Sequence, residues 1–174
     1  MTAVLGIPIP SSAPLFLAVV GVHVLFGLAC VVFGLLAMSA KKGRGKHATF
    51  GTLYFRCMGG VFLTMVILSF VRWREDYHLF LLGALAFGLA AGGRQAAKRR
   101  SLRLHAVCMG ASYIVLLTAF YVDNGKSLPV WRDLPVIAYW TLPALLGVPL
   151  ILWALLRHPL LRAFSTTASR NPNY

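Results

Sequence analysis

Five stretches of mostly apolar residues, separated by short polar segments, divide this chain from end to end. A helix rises 1.5 Å per residue, so about 20 apolar residues carry it across the ~30 Å hydrocarbon layer of a bilayer. The stretches 14–38, 49–71, 77–93, 104–122 and 134–156 fit that requirement, and 77–93 is the shortest and richest in glycine. Backbone polar groups inside lipid must be satisfied within the spanning element, which for runs this long means helix. The expected fold is all-α: one membrane domain over 1–174, an integral membrane helical bundle of five transmembrane helices.

Composition agrees. Of 174 residues, 59% are hydrophobic and 12% charged, where a soluble domain carries about 25% charged residues. The net charge of +13 would suit nucleic acid if it formed one patch, but the basic residues stand in short runs between apolar stretches, as topology signals do. Lys41, Lys42, Arg44 and Lys46 separate the first two helices, Arg94, Lys98, Arg99, Arg100 and Arg103 the third and fourth, and Arg157, Arg162 and Arg170 follow the fifth. The other two loops hold Arg72, Arg74, Lys126 and Arg132 with all four acids, Glu75, Asp76, Asp123 and Asp133. Basic loops stay in the cytoplasm, so the expected topology is N-out/C-in, with the lipid bilayer and not nucleic acid as partner.

Met1 to Ser12 lacks the positive residues of a secretory leader, so the first apolar stretch is expected to be a retained helix. Cys30, Cys57 and Cys108 lie in apolar stretches without CxxC spacing, which fits small core residues rather than disulfides or zinc. Trp73, Tyr77, Trp131, Tyr139 and Trp140 are expected as anchors at the outer interface. Pro143 and Pro149 should kink the fifth helix. Ala84, Gly88 and Gly92 give the third helix a small-residue face for close packing.

Four of the five histidines fall one to a helix. His23 precedes Lys41 by 18 residues and His78 precedes Arg94 by 16, which sets both about 24–27 Å from the basic boundary. His47 follows Lys46 directly and His105 lies two residues after Arg103. The chain thus offers an outer pair, His23 and His78, and an inner pair, His47 and His105. The separations of 55 and 58 residues read as a duplicated hairpin, helices one and two repeated as three and four. Gly27 and Gly51 follow His23 and His47 at i+4, on the same helix face, leaving room for a flat ligand or a close helix.

Low-spin haem b takes two axial nitrogens, an apolar slot and cations for its propionates. His47 and His105, flanked by Lys46, Arg100 and Arg103, offer these at the inner face. Arg56, inside the second helix without a nearby acid, is a candidate for a propionate or a lipid phosphate. The candidate cofactor residues are therefore His47, His105, His23, His78 and Arg56, the first three as iron ligands. His158 reads as an interfacial anchor. Asp76 with His78 reads as a surface cluster or an outer metal site. No G-x-S-x-G, H-E-x-x-H or phosphate-binding glycine motif is present.

The segments His23-Val-Leu-Phe-Gly27, Lys46-His47-xxx-Gly51-xx-Tyr54 and Arg103-Leu-His105-xxx-Met109-xx-Ser112-Tyr113 resemble a family of predicted bacterial membrane proteins of unknown function, over most of the chain from helix one to helix four. Ala48 and Ala106 stand where that family commonly has arginine, and His78 has no counterpart in it. The resemblance implies a site at His23, His47 and His105 and a bacterial inner (plasma) membrane, and no activity. A looser, architectural analogy links the two histidine layers to the di-haem transmembrane cytochromes b. The leading expectation is a haem b protein of electron transfer, quinone-linked or coupled to a redox partner subunit. The alternative is a non-enzymatic scaffold, assembly factor or sensor, open to oligomerisation. A small-molecule transporter ranks third, since no acid lies at mid-depth.

Overall fold

The computed structural model describes residues 2–4, 7–9, 14–43 and 45–157. Five long helices dominate: α1 (Pro14–Ser39), α2 (Lys46–Val71), α3 (Trp73–Lys98), α4 (Leu102–Asn124) and α5 (Val136–Arg157). A small antiparallel pairing, β1 (Thr2–Val4) with β2 (Ile7–Ile9), precedes them. All five helices are long and apolar enough to cross a membrane. His158, Arg162 and Arg170 lie outside the described residues, as do Arg44 and part of the Met1–Ser12 segment.

Local chemistry sets the helix ends. Pro14 opens α1, at the position where a missing N–H costs nothing. Gly43 and Gly45 turn the chain into α2 at φ +133° and +118°, backbone angles that side chains disfavour. Only Arg72 separates α2 from α3. Its guanidinium pairs with Glu75 one turn on, and Glu75 with Asp76 places negative charge at the positive end of the α3 dipole. These charges favour a start at Trp73, ahead of residue 77, and α3 runs 26 residues rather than the shorter 77–93. Its last turn closes with Ser101 N–H on Ala96 O and Arg100 N–H on Ala97 O, the paired bonds of a Schellman cap, with Arg100 in the left-handed position at φ 57°.

Helices α1 and α2 pack as one hairpin and α3 and α4 as another, α2 joins α3, and α5 lies against α4. Cys30, Tyr54, Met58, Val61, Ala86, Ala90 and Leu116 form the core, so the centre belongs to the first four helices. Helix α5 buries only Tyr139 and Pro143, and both its prolines lie inside one continuous helix. Elsewhere the surface is apolar: Leu25, Phe70, Leu145, Leu150 and Trp153 are all more than 60% exposed, a surface suited to lipid and not to water.

Two expectations about packing change. Gly88 and Gly92 face open space, whereas Leu79, Ala86, Ala90, Gly93 and Ala96 form the buried side of α3. The small-residue approach is therefore made one position away, through Gly93, where a Cβ would stand 2.9 Å from Met109. Tyr139 is 3% exposed and its hydroxyl donates to Trp131 O at 2.8 Å. Its ring covers Gly125, so Tyr139 pins the loop before α5 instead of floating at an interface.

Candidate histidine site

The inner pair assembles. His47, in the first turn of α2, donates Nδ1–H to Ala37 O near the end of α1 at 2.8 Å. His105, in the first turn of α4, donates Nδ1–H to Gly93 O of α3 at 2.8 Å. A carbonyl only accepts, so each bond fixes the tautomer and leaves the lone pair of the neutral ring on Nε2. The two rings stand 6.2 Å apart between centroids, at 86° to one another. Ala37 O belongs to the last turn of α1, whose carbonyls lack helical partners. Lys42 Nζ shares that end through Met38 O at 2.6 Å. Partial burial there holds the Lys42 ammonium below the usual lysine pKa.

One helical heptad deeper, Tyr54 and Ser112 meet. Each lies seven residues after its histidine, on the same helix face. Their hydroxyls are 2.8 Å apart, and Ser112 Oγ–H donates to Ala86 O at 2.8 Å, so the Tyr54 hydroxyl is the donor to Ser112. Tyr113 donates to Val31 O at 3.1 Å and lies against Tyr54, centroid to centroid 6.2 Å. These ties draw α1, α2, α3 and α4 together directly beneath the histidines.

The outer pair does not assemble. His23 donates Nδ1–H to Thr64 Oγ1 at 2.8 Å, because the Thr64 hydroxyl already gives its proton to Gly60 O or Val61 O. His78 instead lies against Tyr77 and Trp140. Register explains the difference. The buried residues of α1 are Cys30, Gly34 and Ala37, and 56 residues on stand Ala86, Ala90 and Gly93, all buried in α3. At that spacing His23 corresponds to Leu79. His78 is one residue short, about 100° around the helix. The 58-residue spacing does hold between α2 and α4, for Tyr54 and Ser112 as for the histidines.

Arg56 is exposed and lies nine residues after His47, about half a turn to the other side of α2. It does not join the pair. Arg94, expected in a loop, lies within α3 with its guanidinium 4.8 Å from the Phe55 ring centre, a cation–π contact. Neither the Tyr54–Ser112 tie nor the two carbonyl acceptors follow from the histidine motifs. The seven-residue offset from each histidine was the available signal for the former. Carbonyl acceptors carry no side-chain signature.

Among the described residues no group of three or more His, Cys, Asp or Glu side chains converges as metal ligands, so no closed structural zinc set forms. The two imidazoles, with Nδ1–H on carbonyls, remain as a pair of nitrogen donors through Nε2. Comparison with known proteins returns no match, whether to family models, to curated proteins or to solved structures.

Proposed function

We propose that this chain is an integral membrane protein, N-out/C-in, which holds one haem b between His47 and His105 and carries electrons at the cytoplasmic face of a bacterial inner membrane. The observation that supports it is the histidine pair: centroids 6.2 Å apart, with both Nδ1–H groups anchored to backbone carbonyls. His47 and His105 would hold the iron through Nε2, and ligating histidines ordinarily give their other N–H to such a partner. A Cβ at Gly51, one turn beyond His47, would meet nothing within 4 Å, so there is space on the ligand's side of α2.

Bound there, the haem would supply one-electron redox chemistry. The chain's own part is to hold both imidazoles oriented through their Nδ1–H bonds, and to close the bundle one heptad deeper with the Tyr54–Ser112 tie. Lys46 and Arg100, exposed at the same end, suit propionates. The spacing of the paired positions supports a duplicated hairpin about an axis between the histidines. A quinone or a partner subunit would exchange the electron.

A second reading has its own observation. Both Nδ1–H groups already satisfy carbonyl oxygens, which is sufficient work for histidines of a scaffold or assembly factor that merely tie helix ends. The visible spectrum of the purified protein, before and after dithionite, separates the two. Haem binding predicts a reducible Soret band with sharp α and β bands, lost on His47→Ala or His105→Ala and kept on His78→Ala. A colourless protein from haem-replete cells, or normal haem content in both inner variants, refutes the assignment.

A further inference from the structure

Two side chains share one carbonyl at the end of α1. Ala37 O accepts His47 Nδ1–H at 2.8 Å and a Lys42 Nζ proton at 3.3 Å, and a carbonyl oxygen has two lone pairs to give. Lys42 also donates to Met38 O at 2.6 Å. Helix α1 stops at Ser39, so neither carbonyl meets the helical N–H of a later turn. Among the described residues no other backbone N–H takes that place. The aligned peptide dipoles of α1 end here, with a negative partial charge of about half a unit. The last turn itself holds no basic residue, and Lys42, just past it, supplies the countercharge. His105 differs, for its acceptor Gly93 O lies inside α3 and not at a helix end.

The strength of the acceptor sets how electron-rich the His47 ring is. A histidine whose N–H goes to a negatively charged acceptor is the more basic ligand, as with the carboxylate partners of metal-bound histidines. A more basic ligand favours the oxidised iron. An ammonium on the same oxygen draws density away from the ring and sets a positive charge beside the site. Both effects disfavour the oxidised form. The acids that could cancel this charge are distant, since Glu75, Asp76, Asp123 and Asp133 belong to the opposite ends of the helices.

We infer that Lys42 is a positioning residue which raises the electron affinity of the histidine site, through the ammonium it keeps on the carbonyl that anchors His47. The inference rests on the haem placement proposed above.

Redox potentiometry of the purified, haem-loaded full-length protein tests it. Lys42→Gln should lower the midpoint by a shift equal to about tenfold in the reduction equilibrium, ~59 mV for one electron, with haem content unchanged. Lys42→Arg keeps the charge and should stay near the wild-type midpoint. Lys41→Gln removes an equal charge from the exposed neighbour and should move the midpoint far less. An unchanged midpoint in Lys42→Gln would overturn the inference, as would an equal fall in Lys41→Gln. Loss of haem from Lys42→Gln would make Lys42 a support for the fold instead, and also overturn it. A wild-type protein without haem would refute the placement above and this inference with it, whereas a haem protein indifferent to Lys42 refutes the inference alone.

Discussion

Ser112 is the residue on which the two hairpins close: it accepts from Tyr54 and donates to Ala86 O. Replacing Tyr54 by Phe removes one hydrogen bond and leaves Ser112 on its carbonyl, so a loss of about 0.5–1.5 kcal/mol is expected. Ser112→Ala strands the Tyr54 hydroxyl in the core and should cost more, about 1–3 kcal/mol. Reversible unfolding in mixed micelles measures both, and an inverted order would show that the serine is not the shared partner. His23 and His78 carry a similar lesson at single-residue resolution. Both were visible as titratable groups at one depth, but a one-residue difference in register sends one to Thr64 and the other to Trp140. Depth follows from counting residues at 1.5 Å each. Direction around the helix needs the neighbour's position.

At the scale of the element, α3 shows how two adjacent glycines differ. Gly92 meets nothing within 4 Å, whereas a Cβ at Gly93 would stand 2.9 Å from Met109. Gly88→Leu and Gly92→Leu should therefore leave stability within about 0.5 kcal/mol. Gly93→Leu forces Met109 away and disturbs the carbonyl that holds His105, with an expected loss of about 1–3 kcal/mol from overpacking. Thermal melts of the three variants in detergent check the contrast, and equal losses at Gly92 and Gly93 would contradict the packing. If haem is bound, Gly93→Leu should also shift or weaken the Soret band, which the other two variants should leave alone. Helix number was legible because each run of apolar residues is long. Helix ends were less so, since the third helix runs on past Gly92-Gly93, where only Gly93 packs closely on α4.

For the whole molecule, the proposed arrangement predicts one haem per chain, because among the described residues only the inner histidines pair. A pyridine haemochrome assay against protein concentration should give a ratio near one, and a ratio near two would require an outer site that His23 and His78 do not form here. Topology is testable apart from any cofactor: reporters fused after Arg157 should report the cytoplasm, and reporters in the 125–135 loop the opposite side. What the sequence determined by itself is the all-helical architecture with five elements able to cross a membrane, because hydropathy and length are local sums that no distant contact alters. It also set how far along their helices His23, His47, His78 and His105 stand, since helical rise is constant. Only the tertiary structure decided which histidines meet, which face of α3 is buried, that Arg56 points away from the pair, and that Tyr54 and Ser112 close the bundle beneath it. Those outcomes depend on the rotation and register of one helix against another. In an apolar chain they are set by small-residue contacts and a few hydroxyl and imidazole hydrogen bonds, which hydropathy does not encode.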